Sequence, residues 1–241
     1  TASIDQKILS FNLEGYRDNG EKKWELEGSS ADIFARKIKL HDIVARSFGR
    51  DVLLTLKASE GTYDRDTQNV RLQGNVVGRT SDGAEILTDS LDWKAQTEEV
   101  RTDSPVRFNK DNITANGMGM VAVPDAKRIT LNKDVIIQIA EDSPTTIKCD
   151  GSLRLDYIRN IATFMDAVVI TDKRAEISSD KMKVLFDPDT RRIRRAVAIG
   201  NVRILQGQNA TYSDRAIYTT GNGKVRFIGK PRITVFAEEN G

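Results

Sequence analysis

Val70-Arg-Leu-Gln-Gly-Asn-Val-Val77 decides the fold. Val70, Leu72 and Val76 alternate with polar neighbours, which makes one face of an extended strand apolar. Gly74 breaks the run two residues before Val76. The phrase returns as Ala196, Ala198, Gly200, Val202, Ile204, and again as Val225, Phe227, Gly229, Pro231, Ile233, Val235. Weaker copies read Ile38, Leu40, Asp42, Val44, then Val100, Thr102, Ser104, Val106, Phe108, then Ile129, Leu131, Lys133, Val135, Ile137, Ile139, and Ala162, Phe164, Asp166, Val168, Ile170. Positions 44, 76, 106, 135, 168, 202 and 231 anchor the copies, at spacings of 32, 30, 29, 33, 34 and 29 residues. A period of about 31 residues marks stacked supersecondary units, none of which buries its apolar face alone. The residue breaking each copy is glycine, serine, aspartate or lysine. Inside a strand, such a residue predicts a bulge or a sharp corner.

Between the copies, strands end in aromatic or bulky residues and run into polar turns: Tyr63 before Asp64-Arg-Asp-Thr-Gln-Asn69, Trp93 before Lys94 to Glu99, Val123 before Pro124 to Lys127, Tyr157 before Asn160, Phe186 before Asp187-Pro-Asp-Thr190, and Tyr218 before Gly223. Asn19-Gly20 is a hairpin signal, with Trp24 to Gly28 as the returning strand. Phe48 to Asp51 reads as another turn. No stretch holds a helical period over two turns. The pattern predicts an all-β chain.

At 241 residues the chain is long enough for one large or two ordinary domains. Its 39% apolar and 30% charged residues suit a slim structure with much surface. No apolar run approaches the roughly 18 residues of a membrane helix. The Thr1-Ala-Ser3 start carries no signal peptide or initiator methionine, and the expectation is that a leader or anchor has been cut away. Cys149 stands alone, which excludes an internal disulfide and any multi-cysteine metal site. His41 stands alone too, so histidine-rich metal sites are excluded by count and a solvent-facing strand position is expected. A net charge of +2 gives no reason to expect nucleic acid as a partner. Residues 1–140 carry 20 basic and 22 acidic side chains, and residues 141–241 carry 17 and 13, so the C-terminal part is mildly basic.

Asp64, Asp66, Asp125, Asp187 and Asp189 all fall in turns, where solvated carboxylates are the expected reading rather than a glycosidase pair. Gly117-Met-Gly-Met120 lacks the lysine and the helix of a phosphate loop. Asn209-Ala-Thr211 is only a formal glycosylation triplet. Arg191-Arg-Ile-Arg-Arg195 is the densest basic cluster, either a charged strand edge or a clamp for an anionic group, with Arg192, Arg194 and Arg195 as the candidate contacts. The apolar stripe itself admits two readings. Closed, it is a packed core; splayed, it is a trough suited to long acyl chains.

Ile147 to Tyr157, Ala162-Thr-Phe164, Ser179 to Val184 and Phe186-Asp-Pro-Asp-Thr190 resemble the OstA-like family typified by LptA, as do Ala198 to Val202, Ala210-Thr-Tyr212, Ala216-Ile-Tyr218 and Gly229-Lys-Pro231. Residues before 141 resemble LptC: Trp24 to Gly28, Ala58 to Tyr63, Leu72 to Val76, Leu91-Asp-Trp93 and Arg101 to Val106. The chain departs from both families' usual form by joining an LptC-like half (1–140) to an LptA-like half (147–241) through Glu141 to Thr146, a polar joint with Pro144. The resemblance implies a semi-open antiparallel β-jellyroll of two facing sheets that binds lipopolysaccharide. Its implied setting is the periplasm, tethered by an N-terminal helix, between an inner-membrane ABC transporter and LptA-like and LptD-like bridge partners. It implies neither catalysis nor a cofactor or metal. Under this reading the trough interior is Leu40, Val44, Leu72, Val76, Val106, Phe108, Val135, Ile137, Phe164, Val168, Val202, Ile204 and Phe227. The terminal segments, with Ile8, Phe11 and Leu13 at one end and Ile233 and Val235 at the other, are expected to add strand to strand with neighbours or with a second copy. The competing readings are a β-solenoid spacer or adhesin with a dry core, and a repeat-built carbohydrate enzyme.

Overall fold

Every alternating run becomes a strand in the computed structural model, which describes residues 6–17, 19–48, 53–123, 126–140, 144–190, 192–221 and 224–235 and contains no helix among them. The expected turn from Gly49 to Asp51, Pro124-Asp125, most of the joint at Glu141 to Ser143, Arg191, Asn222-Gly223 and Phe236 lie outside the described residues.

The chain divides into two units, Thr1–Asp111 with Gly119–Pro124, and Asn112–Met118 with Asp125–Gly241. In the first, β1 (Gln6–Tyr16), β2 (Lys22–Ile33), β3 (Lys37–Phe48), β4 (Leu53–Asp64), β5 (Val70–Thr80), β6 (Glu85–Lys94) and β7 (Glu99–Lys110) each pair antiparallel with the next. Residues 119–123 of β8 (Ile113–Val123) belong with them. The second unit takes residues 113–118 of β8, then β9 (Arg128–Ile139), β10 (Thr145–Cys149), β11 (Leu153–Asp156), β12 (Ile161–Thr171), β13 (Glu176–Phe186), β14 (Ile193–Gln206), β15 (Asn209–Thr219), β16 (Lys224–Ile228) and β17 (Arg232–Thr234). Here β10 and β11 both lie between β9 and β12, and β16 and β17 both lie against β15. The expected repeat-built antiparallel β-jellyroll is the observed fold.

Turn chemistry follows the residues. Gly20 adopts φ +82° and donates to the Arg17 carbonyl at 2.9 Å. The Asp64 carboxylate accepts from the Asp66 and Thr67 amides at 3.1 and 2.8 Å and from the Thr67 hydroxyl at 2.8 Å. Asp187 repeats this with Asp189 at 3.2 Å and with the Thr190 amide and hydroxyl at 2.9 and 3.0 Å. Threonine amide bonds, foremost, hold both carboxyls below the usual aspartate range. These carboxylates are occupied in closing their own turns.

The breaks in the repeat are corners. Left-handed backbone occurs at Asp42, Gly74-Asn75, Asp134, Asp166-Ala167, Gly200-Asn201 and Gly229-Lys230. Pairing registers shift beside several of them, between Gln73 and Val76, Met165 and Val168, and Ile199 and Val202. Gly200 shows why the residue type matters. Its φ is +78°, and a Cβ there would stand 2.3 Å from the Asp180 carboxylate, which itself accepts from Asn201 at 2.9 Å. The Ser104 corner has no left-handed residue, but the register still shifts there: Thr88 pairs with Val106 and Asp92 with Arg101, so β7 carries one residue more than β6 across it. The last corner also splits the terminal strand expected from Val225 to Phe236 into β16 and β17.

Candidate functional site: an apolar interior with a closed floor and open walls

Strand register converts the repeat into rows of side chains running across the strands. In the first unit Ile43 faces Ala58, while Val76 and Val106 flank Thr88, and none of the five is more than 7% exposed. Across the corner, Ala31, Leu40, Gly61, Leu72 and Leu91 pair in sequence. In the second unit Val135 faces Cys149, Val168 faces Ser179, and Val202 faces Ser213. The companion row there is Leu131, Leu153, Phe164, Met182, Ala198, Ala216 and Phe227. On the crease the corner strands supply valine or isoleucine, and the strands between them supply alanine, threonine, cysteine or serine. Alternating large and small side chains lets adjacent strands fill the inside of a bend without voids.

The small polar members have a second task. A corner takes carbonyl groups out of the ladder, and a buried carbonyl without a donor is costly. The Ser179 hydroxyl donates to the Lys181 carbonyl at 3.2 Å, Ser213 to Arg215 at 3.1 Å, Cys149 to Gly151 at 3.5 Å, and Thr88 to Ser90 at 3.5 Å. All four bonds run from a residue to the carbonyl two positions on. Burial, the largest cause, pushes the Cys149 thiol up from its ordinary value, so it is a capped core residue rather than a nucleophile.

Above the floor stand half-buried walls. In the second unit Ile137, Ile147, Ile170, Ile177, Ile204 and Thr211 pair in unbroken succession, and the exposed Ile233 ends the row. In the first, one wall is Leu26, Ala45, Leu56, the buried Gly78, Ile86 and Phe108, with the exposed Leu13 at its end, and the other is Ile33, Ile38, Tyr63, Val70, Trp93 and Val100.

The interior residues expected from sequence therefore separate into two kinds. Leu40, Leu72, Val76, Val106, Val135, Phe164, Val168 and Val202 are floor, none more than 5% exposed. Phe108, Ile137 and Ile204 are wall, and Phe227 ends a floor row half-buried beside the last strands. Val44 is displaced from the expected face. The first corner has one left-handed residue where Gly74-Asn75 has two, so Ile43 takes the buried place and Val44 joins the opposite face with Glu27, Lys57, Val77 and Arg107. In the second unit Ile147 and Ile177 are wall residues outside the anchor pattern, and Ile170, inside it, was not among the expected interior residues; each lies two positions from a buried residue, in the direction away from the corner.

Arg192, Arg194 and Arg195 are exposed, and none has an ion-pair partner among the described residues. At the ends, Ile8, Leu13, Ile233 and Val235 are 41, 48, 64 and 69% exposed, and Phe11 is half-buried. Among the described residues β1 pairs only with β2, and β16 and β17 pair only with β15. His41 is half-buried and meets Asp32 at 3.2 Å, closer to a structural pair than the solvent-facing position expected. No group of acidic, histidine or cysteine side chains suited to a metal occurs among the described residues.

Fold and site together define a repeat-built β-jellyroll with a row-ordered apolar interior. Residues 1–140 match the family model of LptC-related lipopolysaccharide-assembly proteins. Residues 146–241 match that of the LptA and LptD N-terminal-domain lipopolysaccharide transport proteins. The chain belongs to the LptC-related lipopolysaccharide-assembly family and carries an LptA-like C-terminal half. Both are families of transport and assembly proteins rather than of enzymes. No curated protein matches the chain.

Proposed function

We propose that this protein is a periplasmic bridge component that receives lipopolysaccharide from an inner-membrane ABC transporter and passes it toward the outer membrane. The observation carrying this reading is the pair of half-buried apolar walls above a sealed floor. The walls give acyl chains a place to lie, and the floor keeps the strands packed whether or not cargo is present. Binding is passive, through apolar area removed from water, and no residue is assigned a catalytic role. Arg192, Arg194 and Arg195 meet anionic lipid head groups. Residues 1–140 and 147–241 act as two jellyrolls of one carrier, joined through 141–146, and an N-terminal helix ahead of these residues tethers it to the inner membrane.

The exposed outer edges of β1 and of β16 and β17 support the second half of the proposal. Unpaired strand edges recruit further strands, so neighbouring bridge proteins, LptA-like and LptD-like, or a second copy add there head to tail. Photo-reactive residues test the cargo path. Placed at Phe108, Ile137 or Ile204, they capture lipopolysaccharide; placed at Arg71, Asn75 or Arg203, all exposed on the opposite face, they do not. Equal capture by both sets defeats the proposal.

A further inference from the structure

One rim of the second unit is built unlike the other. The turns 157–160 and 187–190, the start of β14 and the residues Thr219 and Thr220 stand side by side: the Phe186 amide donates to the Asn160 carbonyl at 2.9 Å, and the Thr220 hydroxyl donates to the Ile193 carbonyl at 2.8 Å. Their apolar side chains face water. Tyr157, Ile158 and Ile193 are 47, 66 and 43% exposed, although isoleucine on a turn tip gains nothing from solvent. Over the described residues 154–160, 187–190, 192–195, 220–221 and 224–226 there are seven basic and three acidic side chains, a net +4 within a chain of net +2. Asp156 lies 3.7 Å from Arg159, and Asp187 is turned into its own backbone. That leaves Arg192, Arg194 and Arg195 exposed and without a salt bridge among the described residues, although Arg194 stands near enough to Asp187 to help lower its pKa. On the opposite rim the turns are Asp172-Lys-Arg-Ala175 and Gly207-Gln208, with no large apolar side chain, and residues 171–176 and 206–210 sum to zero.

We propose that the 157–160/187–195 rim docks on an anionic lipid bilayer, with Ile158 and Ile193 entering the interface, Tyr157 at head-group level and the arginines on lipid phosphates. Protruding aliphatic tips with tyrosine and arginine shoulders fit an interfacial surface, since aromatic rings sit at head-group depth and basic side chains bury their stems while the charge stays with phosphate. Net positive charge confined to that rim supplies the complementarity. This gives the arginines assigned above to anionic head groups a membrane surface rather than a single cargo molecule.

The test uses the whole protein and vesicles of phosphatidylcholine alone or with 30% phosphatidylglycerol, and its outcome is independent of whether the interior carries lipopolysaccharide. Cosedimentation at low salt is expected with the anionic vesicles only. The triple variant Arg192→Gln, Arg194→Gln, Arg195→Gln is expected to weaken it about 100-fold, from roughly five-fold per arginine at an anionic surface. Because these side chains are exposed, folding is checked by an unchanged circular dichroism melt. An environment-sensitive dye at Ile158→Cys shifts to the blue on binding, while the same dye at Lys173→Cys on the opposite rim does not; Cys149, 3% exposed, stays unlabelled in the native protein. Equal binding to neutral vesicles, no binding, or equal shifts at both dyes overturns the proposal. So does a triple variant that keeps vesicle binding but loses capture of soluble lipopolysaccharide, which assigns the arginines to cargo. Self-association abolished by Ile158→Ser also overturns it, because the rim is then an interface between copies.

Discussion

Removing one side chain from the floor and one from the wall separates stability from binding. Phe164 is 3% exposed and lies between Leu153 and Met182 in the buried row. Phe164→Ala deletes a ring whose neighbours are fixed by the strands on both sides, so the cavity relaxes little and the cost is about 3–5 kcal/mol. That is a large part of the roughly 5–15 kcal/mol that a domain of this size holds, and at about 4 °C per kcal/mol it lowers Tm by some 12–20 °C. Ile204 is half-buried in the isoleucine row. Ile204→Ala opens onto space already reached by solvent, so no closed cavity forms and the cost is about 1 kcal/mol. An acyl chain lying there gives up the burial of as many as about three methylene equivalents, near 0.8 kcal/mol each, so capture of lipopolysaccharide weakens several-fold to about 50-fold. Thermal melts followed by circular dichroism give the first quantity, and lipopolysaccharide capture per folded molecule, measured well below both melting points, gives the second. The expected result is a crossed pattern: Phe164→Ala unstable but competent, Ile204→Ala stable but weak. If Ile204→Ala costs as much stability as Phe164→Ala, the walls are core and the distinction fails.

Acid should loosen the first unit through Glu25. Hydrogen bonding to Lys22 foremost, and to Arg46, holds its carboxyl down at about 2 from an ordinary 4.5. A depressed carboxyl contributes stability that is whole above the unfolded value and is lost as pH falls toward the folded one, so the parent loses Tm between pH 4.5 and 2, and Glu25→Gln loses less across that window; parallel curves would remove Glu25 as the cause. Proline scanning of the last strand tests the edge. Successive N–H groups of a strand point to opposite sides, so of Ile233→Pro and Thr234→Pro one breaks the bond to β15 and lowers Tm, while the other strips the outer edge and weakens crosslinking to the next molecule at nearly unchanged Tm; crosslinking unaltered in both variants sinks head-to-tail pairing.

The repeat was legible because its signal is steric. Gly74-Asn75-Val76 and Gly200-Asn201-Val202 are short phrases, but each sets a left-handed pair inside a strand, and few residue types tolerate that backbone. Parity was misread at one corner. Asp42 turns the first corner alone, which moved burial from Val44 to Ile43, and a residue-counting reading has no means of seeing a corner shortened by one. The walls were partly hidden for another reason. Ile147 and Ile177 belong to the strands between anchors, where the crease residue two positions on is cysteine or serine, so the apolar alternation breaks there and does not announce a continuous face. Only the pairing of Ile147 with Ile137 and Ile170, and of Ile177 with Ile204, places them in a row.

That row bears on how a carrier releases what it holds. Strands stand about 4.8 Å apart, so five consecutive isoleucines from Ile137 to Ile204 present nearly the same side chain at every step. A deep pocket would fix a chain at one position, and leaving it would cost the whole of the buried area at once. Along a uniform wall, the apolar area uncovered behind a moving acyl chain is matched by the area it covers ahead. Each step then risks only about one methylene, near 0.8 kcal/mol, little more than thermal energy. The floor is what makes the uniformity possible. Because Val135, Val168 and Val202 with their small partners seal the crease, the isoleucines are spared from holding the strands together and remain free to be alike. On the proposed reading, the same repeat that packs the crease also flattens the path above it.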